Sequence, residues 1–176
     1  LTSLALSLLW VPAQAAPLNV AVPANAYISI GNLNWAWAAP CAPTAPSCGI
    51  IDLSFQGPLG WRLPSAAEFA SHPVAADFVF PGANVPNGGV GADGATFNVA
   101  PGGAAACAAP YFSSIHKHCD WSNGVAGLWA NPAGGSSSHY ESLVVREISA
   151  IPLPFALPLF GAGLVVLGLM RRRNAA

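Results

Sequence analysis

The sequence predicts a β-dominant α+β fold, one small disulfide-stapled domain over residues 17–148. Three observations support this class. Short alternating or aromatic runs typical of strands recur along the chain, separated by many of its 18 glycines and 17 prolines. One helix signal with a clear N-cap follows Trp61. Four cysteines form two local pairs, each closing a short loop.

Residues 1–15 are typical of a secretory signal peptide with a truncated n-region. Residues 4–11 form an apolar run, and Ala13-Gln14-Ala15 matches the small-x-small pattern at which signal peptides are cleaved. We therefore expect this segment to direct export and to lie outside the folded domain.

The first strands are expected soon after this segment. Residues 18–22 and 26–30 alternate small and branched residues around Pro23, which predicts a hairpin. Period two then places three side chains on one face of a following strand, Leu33, Trp35 and Trp37. A core strand is the main interpretation, and an aromatic shelf for stacking sugars is the alternative.

Residues 38–47 predict a loop, because three prolines within a few residues interrupt ladders and helices. A short strand is expected over residues 50–55. The single helix follows, where Ser65 and Glu68 have capping-box spacing and Pro73 ends or breaks the helix. A helical turn is expected over residues 74–78.

Residues 81–106 are rich in glycine and predict a long surface loop. Asp93 lies between glycines, but one acid is too few for a calcium loop. No Gly-Lys-Ser/Thr follows, so a phosphate-binding loop is not indicated.

Residues 107–121 hold the densest cluster of chemically capable side chains. His116, His118 and Asp120 share one face if the segment is extended, and such a face can bind a metal ion. A solvated turn tethered by a disulfide is the alternative interpretation of the same residues.

The cysteines predict two disulfides in an exported chain. Cys41 is expected to pair with Cys48 and Cys107 with Cys119, although four cysteines allow three connectivities. Neither spacing matches a zinc finger or knuckle. Closing strands are expected over residues 124–129 and 140–148, with Leu143, Val145 and Glu147 on one face of the second.

The C-terminal stretch predicts a membrane-spanning helix. Residues 151–170 carry no charge, and a helix of that length covers roughly the 30 Å hydrocarbon core of a bilayer. Arg171, Arg172 and Arg173 follow, which places the preceding chain outside the cytoplasm. A permanent anchor and a removable sorting signal both fit this pattern.

The same stretch resembles a known sorting signal. Ile151, Pro152, Leu153 and Pro154, followed by an apolar helix and an arginine cluster, are similar to the VPLPA-CTERM variant of the PEP-CTERM tails of Gram-negative surface proteins. Ile151 stands where valine is usual, and Phe155 where a small residue is usual. The resemblance implies an exosortase partner that cleaves near the proline motif. It also implies an inner-membrane precursor and a final place at the cell surface or in extracellular matrix.

A second resemblance lies inside the domain. Gly60-Trp61-Arg62-Leu63-Pro64-Ser65 with Glu68 is similar to a GWR-x-P/A-T-x-x-E segment. This segment occurs in exported bacterial domains, including uncharacterised PEP-CTERM proteins and some domains related to the C-type-lectin-like fold. It implies a shared architecture and no particular activity.

Charge and motifs limit the function classes. Only 7% of residues are charged, and without the terminal arginines three basic residues face seven acidic ones, a balance of −4. A basic patch for nucleic acid is therefore absent from the sequence. No nucleophile elbow is present, so we expect neither enzymatic activity nor a cofactor. A non-catalytic surface or matrix protein is the main expectation, and a carbohydrate- or metal-binding module, with extracellular polysaccharide as a partner, is the alternative.

Overall fold

The computed structural model describes residues 17–43, 51–98, 102–120, 129–131 and 140–148. These residues form a mixed α/β structure with two small sheets and two short helices. The strands are β1 (Ile28–Ile30), β2 (Leu33–Ala39), β3 (Thr96–Phe97), β4 (His118–Cys119) and β5 (Ser142–Glu147). The helices are α1 (Ala66–Phe69) and α2 (Ala109–Phe112), and four 3-10 helices cover Pro17–Asn19, Ala24–Ala26, Gly57–Leu59 and Ala75–Phe78.

The larger sheet has the order β1-β2-β5, with both pairings antiparallel. A two-residue turn joins β1 to β2, and Gly31 enters it at φ 62°, a left-handed conformation that favours glycine. Trp35 of β2 lies opposite Ile28 on one side and Val145 on the other. The smaller sheet pairs β3 with β4 in parallel.

Strand β2 separates two hydrophobic clusters, and all seven of its residues are buried. Trp35 and Trp37 face the first cluster, which also contains Phe78 and Trp129. The small side chains of β2 face the second cluster, which contains Ala36, Ala38, Trp61, Tyr111 and Phe112. The period-two prediction of a core strand is therefore confirmed.

Trp37 is the centre of the first cluster. Its ring makes edge-to-face contacts with Phe97, Phe78 and Trp129 at centroid distances of 5.2, 5.5 and 4.6 Å. Trp35 is 2% exposed and Trp37 0% exposed. The alternative of an aromatic shelf for sugars on this strand is therefore wrong.

Two strand predictions are wrong. Residues 18–22 do not pair with a neighbour, and the segment begins instead with the 3-10 helix Pro17–Asn19. Residues 51–56 form a coil and turn, in which the Asp52 N–H donates to the Phe112 carbonyl at 2.7 Å. In both places tertiary contacts decide the backbone conformation and override the local alternation.

The glycine-rich segment is also different from the prediction of a surface loop. Val79 and Val85 both form antiparallel bridges with Ala105. Val85, Ala95 and Ala105 are no more than 2% exposed. Glycines and small alanine side chains allow the backbone to pack closely at these points, so parts of the segment reach the core while other parts of it are exposed.

The helix predictions are partly confirmed. Helix α1 begins after Ser65 with a complete capping box to Glu68, and the 3-10 helix Ala75–Phe78 follows Pro73. The expectation of a single helix is wrong, because α2 is a second one. All four α2 residues are buried, and Pro110 lies in its first turn, where no backbone N–H is needed.

The disulfide between Cys107 and Cys119 is confirmed, and it joins the segment before α2 to β4. Cys41 is also disulfide-bonded, while its predicted partner Cys48 lies outside the described residues. The closing strand is confirmed as β5, with Leu143 and Val145 in the first cluster.

The terminal predictions lie outside the described residues. These are the signal segment 1–15 and the tail 151–173, and most of the predicted strand 124–129 is outside as well. Within the part of the chain that the structure describes, no helix has the length and hydrophobicity to cross a membrane.

Candidate functional site

The motif from Gly60 to Glu68 forms an ion-pair network. Arg62 Nη1 and Nη2 donate to Glu68 Oε2 and Oε1 at 2.8 and 2.7 Å, a bidentate pair. The Ser65 backbone N–H also donates to Glu68 Oε2 at 2.8 Å. These bonds lower the pKa of Glu68 to about 2, with the largest effect from Arg62 and the next largest from the Ser65 N–H.

The same motif packs against β5. The guanidinium carbon of Arg146 lies 4.6 Å from the Trp61 ring centroid and 5.2 Å from that of Tyr27, which is cation–π geometry. Gly60 has φ 92°, and a Cβ there would lie 3.3 Å from Arg146 Cγ. Glycine is therefore required by both its backbone conformation and the approaching side chain.

Backbone hydrogen bonds complete this attachment. The Arg62 N–H donates to the Val145 carbonyl at 2.9 Å, and the Val145 N–H donates to the Arg62 carbonyl at 2.8 Å. Five residues of the motif therefore help to fix α1 to β5: Gly60, Trp61, Arg62, Ser65 and Glu68. These contacts give the motif a structural role.

The predicted metal-binding residues lie in and beside β4. The rings of His116 and His118 meet edge to face at a centroid distance of 5.6 Å. Asp120 is 6% exposed, and its charge acts on both His118 and Glu141. Burial and the neighbouring His116 lower the pKa of His118, and Asp120 opposes them.

Among the described residues, no group of three His, Cys, Asp or Glu side chains is arranged to hold a metal ion. His116 Nε2 is buried and has no hydrogen-bond partner within the described part of the chain. Metal binding by His116, His118 and Asp120 stays a prediction.

Glu141 is buried, which no pattern in the sequence indicated. It is 5% exposed, and its Oε2 atom has no hydrogen-bond partner among the residues that the structure describes. Burial, reinforced by the charge of Asp120, raises the pKa of Glu141 to about 9. Its side chain is therefore protonated at neutral pH.

A cleft of about 660 Å³ lies between three parts of the chain: residues 17–20, residues 92–94 and residues 110–117. This volume is in the range of about 300–1,000 Å³ that is usual for small-molecule sites. Aliphatic side chains form one part of the lining, Pro17, Leu18, Val20, Ala92 and Pro110. Hydroxyl and charged side chains form the other, Asp93, Tyr111, Ser113, Ser114 and Lys117.

The wall at residues 92–94 is fixed by Asp93. Its Oδ1 accepts from the Ala95 N–H at 3.0 Å and its Oδ2 from Asn84 Nδ2 at 2.8 Å. Burial, reinforced by the charge of Asp93, raises the pKa of Tyr111. A Cβ on Gly91 would lie 2.5 Å from Asp93 Oδ1, so glycine is needed beside it.

Two further polar side chains hold the cleft in shape. Gln56 is fully buried, and its Nε2 donates to the Val20 carbonyl at 2.7 Å, which fixes the N-terminal wall. Asn84 also receives the Cys107 N–H on its Oδ1 at 2.9 Å and donates from Nδ2 to the Cys107 carbonyl at 2.8 Å. The cleft is therefore braced on both sides before any ligand arrives.

Ser113 and Lys117 supply two further polar groups of the lining, Ser113 from a buried position and Lys117 from an exposed one. Ser113 Oγ accepts the N–H groups of Ile115 and His116 at 3.2 and 2.9 Å, so its own O–H remains free to donate. Lys117 is exposed, and within the described residues its ammonium group forms no salt bridge.

Sequence reasoning did not find this cleft. Its residues come from segments distant in the chain, and isolated residues such as Gln56 and Asn84 carry no local pattern. The one available signal is that Lys117 is the only lysine of the sequence.

No protein-family description, curated protein or solved structure matches this chain.

Proposed function

We propose that this chain is an exported, non-catalytic protein of the cell surface or extracellular matrix, sorted through a C-terminal signal by an exosortase. The precursor would be held in the inner membrane by residues 155–170 until cleavage near Ile151, Pro152, Leu153 and Pro154. Arg171, Arg172 and Arg173 would stay on the cytoplasmic side.

One structural observation supports export. Cys107 and Cys119 form a disulfide, and both residues are 0% exposed. Disulfides of this structural kind persist in oxidising compartments outside the cytoplasm. The cysteines of a cytosolic protein would be kept reduced, so the buried bridge agrees with the signal segment and the tail.

Mass spectrometry of the protein from an exosortase-bearing host tests the sorting route. We expect the surface fraction to end between Ile151 and Phe155. A Pro152→Ala/Pro154→Ala variant should accumulate as uncleaved precursor in the membrane, whereas the control Pro86→Ala, at an exposed position in the domain, should be processed normally. Surface protein that retains Arg171–Arg173 would contradict processing.

A second candidate function is a ligand-binding module delivered by the same route. The preformed cleft between residues 17–20, 92–94 and 110–117 favours it. The tryptophans that the structure describes give this function no support, since Trp35, Trp37, Trp61 and Trp129 are all buried. A C-type-lectin-like arrangement stays a prediction.

A further inference from the structure

We infer that the cleft binds a carboxylate-bearing sugar such as a uronic acid, with Lys117 pairing with the sugar carboxylate. This inference rests on the second candidate function, the ligand-binding module, and names the chemical class of its ligand. It is independent of how the C-terminal tail is processed.

The exposed ammonium group of Lys117 favours a ligand that carries one negative charge. Lys117 is the one cationic residue among the described residues that line the cleft, and an ammonium group binds a carboxylate by a charge-assisted hydrogen bond. Asp93, the one acid among the described residues of the lining, accepts the Ala95 N–H on Oδ1 and Asn84 Nδ2 on Oδ2. Both of its carboxylate oxygens are therefore hydrogen-bonded within the protein, whereas Lys117 is exposed and forms no salt bridge within the described residues.

The hydroxyl groups favour a polyhydroxylated ligand over a simple organic acid. Ser113 can donate because its oxygen already accepts two backbone N–H groups. Ser114 is exposed on the same border of the cleft, and its hydroxyl can both donate and accept. Sugar hydroxyls have the same dual capacity, so neighbouring serines can bind several of them.

The aliphatic side suits the carbon face of a pyranose ring. Pro17, Leu18 and Val20 form this side, and Val20 is 43% exposed. A pyranose presents C–H groups on its faces and hydroxyls at its edge. Packing those C–H groups on aliphatic side chains removes apolar surface from water, which favours binding.

Hydrogen bonds within the protein hold both walls of the cleft in place, which favours binding of a sugar. The Gln56 bond to Val20 fixes one wall and the Asn84–Asp93 bond the other. A site that is already ordered loses little conformational entropy on binding.

Lysine-selective ¹³C labelling of the full-length chain in mild detergent tests this inference. The chain has one lysine, so the label reports on Lys117 alone. We expect glucuronate to shift its side-chain signals saturably. Glucose has the same ring without the carboxylate and acetate has the carboxylate without the ring, so each should need about tenfold higher concentration.

Calorimetry of glucuronate binding on variants gives a second measurement. Lys117→Met should weaken binding about tenfold or more, and Ser114→Ala severalfold, by the usual size of such hydrogen bonds. The matched control Ser71→Ala, at an exposed serine outside the cleft, should leave affinity unchanged. Urea unfolding of each variant should give the wild-type midpoint, which excludes loss of fold as the cause.

Three other outcomes would contradict the inference, and each would reject a different part of it. Acetate or inorganic phosphate acting as strongly as glucuronate would mean that Lys117 attracts any small anion. Glucose binding as well as glucuronate would keep the binding module and reject the acidic class. No response to any probe would reject the cleft as a site and would leave the sorting proposal intact.

Discussion

At the scale of single residues, the clearest arrangement is the carboxylate of Glu68, which serves two structural tasks at once. It accepts two hydrogen bonds from Arg62 and one from the Ser65 backbone N–H. It therefore caps α1 and attaches that helix to the residue that bridges β5. Because Arg62 is 42% exposed, solvent weakens the ionic part, and the geometry contributes much of the stabilisation.

Replacing Glu68 with glutamine should lower the free energy of unfolding by about 1–2 kcal/mol at neutral pH. The amide is nearly isosteric but loses the charge and one acceptor of the bidentate pair. Urea unfolding followed by tryptophan fluorescence measures the loss.

Asp77→Asn is the matched control for that variant. Asp77 Oδ2 accepts a single N–H, from Val74 at 2.8 Å, at the start of a 3-10 helix. Its replacement should cost less than half as much. Equal losses in the two variants would mean that the Arg62 pair adds nothing beyond a simple cap.

At the scale of elements, the disulfide fixes a segment that has little regular structure of its own. Strands β3 and β4 are two residues each, and α2 is four. The bridge holds Cys107, just before α2, against Cys119 in β4 across a sequence separation of 12. It thereby limits the freedom of the unfolded chain over the residues that border the cleft.

A Cys107→Ala/Cys119→Ala variant should lose about 3 kcal/mol of unfolding free energy, the loop-closure value for a ring of this size. Denaturant unfolding of the oxidised parent and the variant measures the difference. Lys117 signals should also broaden in the variant, because β4 is no longer held to α2. A loss below about 1 kcal/mol would contradict a stabilising role.

Elements with a local cause were predictable from the sequence. Ser65 and Glu68 specify their capping box within four residues, and period two places Trp35 and Trp37 on one face. The Cys107–Cys119 pair was likewise indicated by its short spacing. In each case the residues that determine the structure are at most 12 positions apart in the chain.

Elements with a distant cause were not predictable. Residues 18–22 alternate like a strand, yet the buried Gln56 holds the Val20 carbonyl across 36 residues. Helix α2 carries no side-chain cap, and its four residues are fixed by burial. The cleft depends on such long-range contacts throughout, so sequence patterns could name Lys117 and Asp93 only as isolated residues.

At the scale of the whole molecule, two glutamates give opposite dependences of stability on pH. The folded-state pKa of Glu68, about 2, is below its ordinary value of 4.5. The contribution of Glu68 to the free energy of unfolding is therefore complete above pH 4.5 and is lost as pH falls toward 2. The folded-state pKa of Glu141, about 9, is above 4.5, so the folded protein binds the extra proton. The stabilisation that this proton gives to the folded state is complete below pH 4.5 and is lost as pH rises toward 9.

These opposite slopes predict maximum stability at about pH 4 to 5, with a decline toward both acid and alkaline pH. Glu141→Gln should remove the alkaline decline, because a neutral amide does not titrate, and should raise unfolding free energy at pH 7 by about 2–3 kcal/mol. Glu68→Gln should flatten only the acid side, which makes it the control for Glu141→Gln. Thermal unfolding of all three proteins from pH 3 to 9 measures both slopes. A parent protein whose stability rises steadily from pH 5 to 8 would mean that Glu141 is ionised in the folded state, where the charge of Asp120 would oppose it.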